Sequence, residues 1–216
     1  NYLNTPNGKV HRLLSRLSVD SMLHPFQPFI LGQKTLAAKM AEKFDIPLIF
    51  YGENEAEYGN PISDNRESNV KSSLFSIKKF TNEELFFGGV SLNNLINYFG
   101  LNKVDVKPYM PEDIRKINKN KIEFHYLGYY LKWHPQSCYY YSVEHGNFEA
   151  SPERTSGTYS KYNSIDDKMD DLHYYTSLIK FGIGRATYDA AQEIRSGDIT
   201  KDEGIALVKR YDQEYP

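Results

Sequence analysis

The chain has 216 residues, a formal net charge of −2, 40% hydrophobic residues and 25% charged residues, which is typical of a globular protein. The balanced charge excludes the strongly basic surface that nucleic-acid binding needs, and no apolar run reaches the roughly 20 residues that cross a bilayer. We therefore expect no nucleic-acid partner and no membrane insertion. The single cysteine, Cys138, excludes an internal disulfide and a cysteine-based zinc site in this chain, and it agrees with a reducing, cytoplasmic location.

The first fifty residues predict two helices and a buried strand. Apolar residues recur at helical spacing over residues 9–23 and 33–44, and the prolines of segment 24–28 break the pattern between them. Residues 46–51 form an uninterrupted apolar run, which predicts a strand buried on both faces. This succession favours a parallel α/β sheet, in which ligands bind beyond the carboxyl ends of the strands.

The remaining segments predict further helices, a second core strand and two polar loops. We predict a polar loop over 60–81, a helix interrupted at Gly88-Gly89 over 85–99, a short charged helix over 110–120, a core strand over 122–129, a helix from about 138 and an ordered loop over 148–163. Helices fill the last fifty residues. Ser164 with Asp167 and Thr200 with Glu203 predict helix N-termini, and Gly197 predicts a helix end.

The acidic turn after the first predicted strand, residues 52–58, is the most informative segment. It holds three glutamates and Asn54 in five residues. Carboxylates at a strand's carboxyl end can hold a magnesium ion that bridges nucleotide phosphates, and an amide can hydrogen-bond a substrate. A solvated acidic turn explains the same residues equally well, so spacing alone leaves both interpretations open.

Two other polar segments are candidate ligand sites. Lys132 and Trp133 follow the second predicted strand, where a lysine can meet a carboxylate or phosphate and an indole can stack on a sugar. The alternative is a tryptophan packed against the sheet edge beside a solvated lysine. The loop 153–163 carries Arg154, Lys161 and several hydroxyls, which can form an anion site, although such a loop can also be only a connection.

The later glycines and the histidines give little support for other chemistry. Residues 182–185 lack the preceding strand and the third glycine of a dinucleotide fingerprint, so we expect these glycines to allow close helix crossing. Arg185, just inside the following helix, can still face a site. The histidines lack metal-ligand spacing, and no Gly-x-Ser-x-Gly motif supports a covalent hydrolase.

Several long strings of residues are similar to the N-acetyl sugar amidotransferases. They include the strings at 24–30, 46–58, 125–133, 153–167 and 180–195, so that the resemblance extends over nearly the whole chain. It implies the PP-loop ATP pyrophosphatase superfamily. The fold it implies is α/β, with a partial doubly wound parallel sheet of the adenine nucleotide alpha hydrolase-like type followed by a C-terminal helical segment. We place the incomplete nucleotide-binding domain at 1–145 and the C-terminal loop and helices at 146–216.

The resemblance implies conversion of a sugar acetamido group to an acetamidino group, in bacterial O-antigen, pseudaminic or legionaminic acid or flagellin glycan synthesis. The amide oxygen attacks the α-phosphate of ATP and releases pyrophosphate, and ammonia then displaces AMP. The implied cofactors are ATP and Mg²⁺, with Zn²⁺ possible only in a preceding N-terminal region. The implied partners are an N-acetylated sugar and ammonia-supplying glutaminase and cyclase-like subunits.

On this resemblance we assign site residues by role. Glu53, Asn54 and Glu57 are the predicted catalytic residues, and Glu53 and Glu57 are also the predicted metal ligands. Gly52 and Tyr58 are predicted to bind the nucleotide. The predicted substrate-binding residues are Lys132, Trp133, Arg154, Lys161, Tyr162, Asn163 and Arg185.

The sequence departs from the family at one decisive motif. PP-loop enzymes carry Ser-Gly-Gly-x-Asp-Ser after their first strand, and this string is absent from the 216 residues. We therefore expect the chain to be the C-terminal portion of such an enzyme and to be inactive alone. The alternative function is a non-catalytic α/β binding or assembly module, in which the acidic turn and the 18 tyrosines form a partner interface.

Overall fold

A computed structural model describes residues 3–52, 76–77 and 81–214 of the chain. These residues form a mixed α/β structure with a small parallel sheet and C-terminal helices, which confirms the predicted α/β class. The chain divides into two units, Asn1–Lys132 and Trp133–Pro216. The predicted domain boundary at 145/146 stays a prediction. None of the helices in the described ranges is long and apolar enough to cross a membrane.

Unit 1, Asn1–Lys132, alternates helices with short strands. Its elements are α1 (Gly8–Met22), α2 (Gln27–Phe44), β1 (Leu48–Tyr51), β2 (Ser76–Ile77), β3 (Phe86–Phe87), β4 (Val90–Ser91), α3 (Leu92–Phe99), α4 (Lys103–Val106), a 3-10 turn (Lys107–Tyr109), β5 (Glu112–Asp113), α5 (Ile114–Lys119), β6 (Glu123–Tyr126) and α6 (Leu127–Tyr130).

The central pair of strands in unit 1 is parallel. β1 pairs with β6 in a register that sets Ile49 opposite Phe124 and Tyr51 opposite Tyr126. One face of the pair is buried against α2 and α5, since Ile49, Phe124 and Tyr126 share a core cluster with Ala38 and Ala41 of α2 and with Ile117 of α5. Small alanines on α2 let that helix lie close to the strands. Because both strands end together, residues 52 and 127 begin at the same edge.

A second core in unit 1 lies between α1, α3 and the β3–β4 hairpin. Its buried members are Val10, Leu14, Leu85, Phe87, Leu92, Leu95, Val106 and Tyr109. The hairpin turn needs glycine, because Gly88 has φ +62° and a Cβ there would lie 2.5 Å from the Leu14 carbonyl oxygen. His11 Nδ1 hydrogen-bonds the Tyr109 hydroxyl at 2.9 Å, which ties α1 to the 3-10 turn.

The structure corrects several predicted elements of unit 1. β1 is not buried on both faces, because Leu48 and Phe50 are exposed on the face away from α2. The predicted break between the first two helices is confirmed, since α1 ends at Met22. The predicted start of the second helix at 33 was wrong: α2 begins at Gln27, and Pro28 lies in its first turn, where proline needs no amide hydrogen. The helix predicted over 85–99 is a hairpin followed by α3. Most of the predicted loop 60–81 lies outside the described residues.

Unit 2, Trp133–Pro216, is helical around a long ordered loop. Its helices are α7 (Pro135–Gly146), α8 (Asp170–Phe181), α9 (Arg185–Ser196) and α10 (Lys201–Tyr211). Thr200 and Glu203 form the predicted capping box, and Gly197 ends α9 with φ +84°, as predicted. The prediction that Ser164 begins a helix was wrong, because α8 begins at Asp170. The predicted loop over 148–163 is confirmed as irregular and ordered.

The two faces of the central sheet predict different responses to truncation. Phe124→Ala empties a site where the ring is 1% exposed, and we expect a loss of about 3–5 kcal/mol of unfolding free energy. Phe50→Ala, on the paired strand but 49% exposed, is the matched control and is expected to cost roughly 1 kcal/mol. Urea denaturation measures both. Equal losses would contradict the assignment of the buried face.

Candidate functional site

The carboxyl edge of β1 and β6 is only partly described. Gly52 is exposed, and a Cβ at this position would meet no described residue within 4 Å. Glu53, Asn54, Glu57 and Tyr58 lie outside the described residues, so their predicted roles stay predictions. At the end of β6, His125 Nδ1 hydrogen-bonds the Tyr130 hydroxyl at 2.5 Å, which folds α6 back on the strand.

Lys132 and Trp133 are both exposed. The indole of Trp133 is 54% exposed, which is more open than a ring that seals a sheet edge. An exposed indole can stack on a sugar, and the predicted role of Trp133 stays a prediction. The two residues lie on either side of the boundary between the units.

A polar stripe on α9 holds the loop 153–163. The stripe consists of Arg185, Asp189 and Glu193, which are four residues apart and therefore share one helix face. Each member bonds the loop directly. The opposite side of α9 packs on α10, where Gly204 leaves room for Ile194.

Asp189 is the centre of the stripe. Its carboxylate is 8% exposed and accepts hydrogen bonds from the Thr158 hydroxyl and from Asn163 Nδ2, the latter at 3.0 Å. Burial raises the pKa of Asp189, while the bonds from Thr158 and Asn163 and the charge of Arg185 act against that rise. The two donors come from the two ends of a six-residue stretch of loop, so one carboxylate fixes both ends.

Arg185 is almost fully buried. Its side chain is 1% exposed, Nη2 donates to the Asn163 carbonyl oxygen at 2.5 Å, and Nη1 lies 3.5 Å from Asp171 Oδ1. The guanidinium also lies over the Tyr174 ring, with Cζ 4.7 Å from its centroid. Among the described residues its Nε has no hydrogen-bond partner. Arg185 thus contacts the loop rather than solvent, and its predicted contact with a sugar stays a prediction.

Glu193, the third member of the stripe, contacts the loop through Tyr159. The Tyr159 hydroxyl donates to Glu193 Oε2 at 2.8 Å. Burial raises the pKa of Glu193, and the charges of Asp189 and Asp198 add to that effect. Burial likewise raises the pKa of Tyr159, so this hydroxyl stays protonated and able to donate.

The loop is also braced from within and by α7. Thr158 Oγ1 accepts from the Ser160 amide at 3.1 Å, and Ser160 Oγ accepts from the amides of Tyr162 and Asn163. The Tyr162 hydroxyl donates to Gln136 Oε1 at 2.5 Å, and its ring stacks on Tyr139 with centroids 4.1 Å apart. Burial raises the pKa of Tyr162 to about 12. These bonds give the loop one defined conformation.

The two predicted cations of the loop are both engaged. Lys161 Nζ donates to the Pro152 carbonyl oxygen at 2.9 Å. Arg154 forms a two-point ion pair with Glu214, with N–O distances of 2.5 and 2.8 Å. Neither cation is an uncommitted positive charge in this structure.

The beginning of α9 is already occupied by an internal anion. Asp212 accepts from the amides of Gly184 and Thr187, at 3.2 and 3.0 Å, and from the Thr187 hydroxyl at 2.6 Å. A Cβ on Gly184 would collide with that carboxylate, whereas a Cβ on Gly182 would meet no described residue within 4 Å. The predicted close helix crossing at these glycines stays a prediction. Since Asp212 caps these donors, the glycines of residues 182–185 do not offer a phosphate site.

His134 and Asp198 form a contact that sequence patterns did not reveal. His134 Nδ1 accepts from the Ser137 amide at 3.2 Å and so caps α7, while Nε2 lies 3.4 Å from Asp198 Oδ1. Ser137 Oγ also lies 3.1 Å from Nδ1. These are the residue types of a nucleophile relay, but the Nδ1 lone pair is directed at the helix cap. Within the described part of the chain, no group of three or more histidine, cysteine or acidic side chains can hold a metal.

Comparison with known protein families gives a match to the C-terminal part of the chain. Residues 156–216 match a family model described as the C-terminal domain of the WbpG-like LPS biosynthesis proteins. A comparison with curated proteins finds no match to the chain. The matched segment runs from the middle of the loop through α8, α9 and α10, and it therefore contains the polar stripe. The match supports a role in lipopolysaccharide biosynthesis.

Substitution of Thr158 tests how much its hydrogen bond to Asp189 stabilises the protein. Thr158→Val keeps the side-chain shape but removes a donor to a buried carboxylate, and we expect a loss of roughly 2 kcal/mol of unfolding free energy. Thr158→Ser keeps the hydroxyl and loses one methyl group, so it is expected to cost about 1 kcal/mol or less. Denaturant titration compares the pair. If valine costs no more than serine, the hydrogen bond does not stabilise the loop.

The raised pKa of Asp189 predicts a pH dependence. The ordinary value is 3.8, and the folded state binds this proton more tightly than the unfolded state does. The contribution of Asp189 to stability is therefore greatest below that value and falls as the pH rises through the raised pKa. Asp189→Asn removes this fall. Urea titrations from acidic to neutral pH should show a smaller decrease in stability for the variant than for the wild type, and parallel curves would refute the assignment.

Proposed function

We propose that the chain is the C-terminal part of an ATP-dependent amidotransferase that converts a sugar acetamido group to an acetamidino group in bacterial surface-glycan synthesis. The observation that carries the proposal is the match of residues 156–216 to the WbpG-like C-terminal domain. That match supports lipopolysaccharide biosynthesis. The amidotransferase reaction is the finer step, and it rests on the resemblance of the residues themselves.

The geometry of unit 1 supports a ligand site at one edge of its sheet. β1 and β6 are parallel and end in register at Tyr51 and Tyr126, so the segments that follow them begin side by side. Ligands of parallel α/β sheets bind at this edge. Gly52 is exposed there, and no described residue lies where a side chain on Gly52 would be.

The predicted turn 52–58 supplies the groups that this chemistry needs. Gly52 and Tyr58 would contact the nucleotide, and Glu53 and Glu57 would hold Mg²⁺, whose preferred ligands are oxygens. Asn54 would orient the acetamido group. When bound, ATP would supply the activating group that makes the amide oxygen a leaving group. The protein's own task is to position the amide and to hold its charge in place.

Residues of unit 2 are proposed to bind the sugar. The open indole face of Trp133 suits stacking on a pyranose ring. Tyr162, Asn163 and Arg185 belong to the hydrogen-bonded loop, so we assign them to shaping the surface that the sugar meets. The cations proposed to contact the substrate are Arg154 and Lys161 of unit 2 and Lys132, the last residue of unit 1. Ammonia would come from a glutaminase with a cyclase-like subunit, in the cytoplasm.

A non-catalytic binding or assembly module is the second candidate, and α7 favours it. None of the twelve residues of this helix is buried, and Tyr140 and Tyr141 are 60% and 67% exposed. Helices in proteins are stabilised mainly by packing one face, so an open tyrosine-rich helix suits a protein partner. The module would bind that partner without turnover.

Pyrophosphate release distinguishes the two functions. In the full-length protein with ATP, Mg²⁺ and ammonium, we expect release to depend on an N-acetylated sugar nucleotide. Glu53→Gln and Glu57→Gln are expected to lower kcat by about 10²–10³, because each removes a group that stabilises the charge developing at phosphate. Glu55→Gln, in the same turn, is the control and should retain turnover.

Two results would contradict the proposal. Absence of any sugar-dependent pyrophosphate release across a panel of N-acetylated sugars would favour the binding module. Equal turnover in all three glutamate variants and the wild type, with unchanged melting temperatures, would show that the acidic turn is only solvated surface.

A further inference from the structure

The Arg154–Glu214 ion pair has the geometry of a ligand and its receptor. The guanidinium meets both oxygens of the Glu214 carboxylate, through Nη1 at 2.5 Å and Nη2 at 2.8 Å. A two-point fork of this kind is the arrangement by which arginine recognises free carboxylates. The two partners are 60 residues apart, so the contact is not a local helix pair.

Other groups of the loop complete the receptor. The backbone amide of Gly157 also helps to hold the pKa of the Glu214 carboxylate below its usual value, after the larger effect of Arg154. Gly157 has φ +76°, a conformation in which glycine can turn its amide toward an anion. Glu153, Arg154, Ser156 and Glu214 line an open polar depression of about 440 Å³. That volume is within the range of small-molecule sites.

The guanidinium is held in place independently of Glu214. Its Nη1 also donates to the Thr158 carbonyl oxygen at 3.2 Å, and its Cζ lies 4.8 Å from the centroid of the Tyr211 ring. Thr158 is in turn fixed by Asp189. Removal of Glu214 therefore leaves Arg154 oriented toward the depression.

We propose that Arg154, Ser156 and Gly157 form an oxyanion receptor for a carboxylate-bearing small molecule, and that Glu214 is an internal ligand that occupies it until the molecule displaces it. The charge of Glu153, which lines the same depression, limits the ligand's charge. When Glu214 is displaced, the positive charge of Arg154 is still accompanied by the negative charge of Glu153. The receptor therefore accommodates a monoanion better than a phosphate dianion, because repulsion from Glu153 increases with the ligand's negative charge. This inference goes beyond the proposed reaction, because it needs neither ATP nor turnover.

Displacement of Glu214 is physically reasonable. The side chains of Arg154 and Glu214 are 38% and 31% exposed, so solvent weakens their attraction. Partly exposed ion pairs of this kind contribute little, which means that the internal competitor weakens external binding by only about two- to fivefold. The interaction is still real, since the hydrogen bonds from Arg154 hold the pKa of Glu214 below its usual value.

A titration of the 216-residue chain with D-glucuronate, which brings a carboxylate on a sugar ring, tests the proposal. NMR shifts of the Arg154 side-chain Nε–H report binding, and inorganic phosphate is the comparison ligand. Glu214→Ala removes the internal ligand and should bind glucuronate about two- to fivefold more tightly than the wild type. Glu149→Ala removes another exposed carboxylate of unit 2 and should bind like the wild type. The double variant Arg154→Gln/Glu214→Ala should lose binding.

The possible outcomes separate the receptor from its alternatives. If Glu214→Ala binds no more tightly than the wild type, or if Glu149→Ala gains equally, Glu214 is not an internal ligand and the proposal fails. Tighter binding of phosphate than of glucuronate would overturn the assignment to a monoanion. Glu214→Asp, which keeps the charge on a shorter side chain, should give an intermediate affinity and checks the result if the alanine variant is unstable. Because these assays contain no ATP, their failure would remove Arg154 from the proposed ligand-binding residues but would leave the proposed amidotransferase reaction to its own test by pyrophosphate release.

Discussion

The hydrogen bonds from the loop to the buried carboxylate of Asp189 are the interaction on which the rest of unit 2 depends. A carboxylate that is 8% exposed must be compensated by donors, and those donors are Thr158 and Asn163 of the loop. Holding them fixes the stretch between, which carries Tyr159, Lys161 and Tyr162. An irregular loop of this length is otherwise costly to order, because each residue loses backbone freedom. By holding Thr158 and Asn163, Asp189 keeps the irregular stretch between them in one conformation.

The loop also connects the stripe of α9 to the end of α10. Arg154 binds the Thr158 carbonyl oxygen on one side and Glu214 on the other, and Asp212 caps the start of α9. The residues that follow α10 therefore return to both the loop and the helix that orders it. The loop, the stripe and the residues after α10 therefore stabilise one another.

Sequence patterns predicted some local features of this structure and missed its long-range contacts. Thr200, Glu203 and Gly197 were recognisable because capping depends on residues within four positions. The stripe Arg185, Asp189 and Glu193 was not, since charges four residues apart on a helix usually mark a solvated face. The burial of Asp189 comes from Thr158, 31 positions away, which no periodicity encodes. For the same reason Arg154 and Lys161 were identified as cations, but their partners were not. Leu48 and Phe50 were expected to be buried because their run is apolar, whereas the face they occupy is open.

Hydrogen exchange at the loop amides tests the central role of Asp189 most directly. The amides of Ser160, Tyr162 and Asn163 donate to hydroxyls inside the loop, which is ordered only if its two ends are held. We predict that these amides are protected in the wild type and exchange at least about tenfold faster in Asp189→Ala, while the amides of α10 keep their protection. Unprotected loop amides in the wild type, or unchanged protection in the variant, would contradict the account.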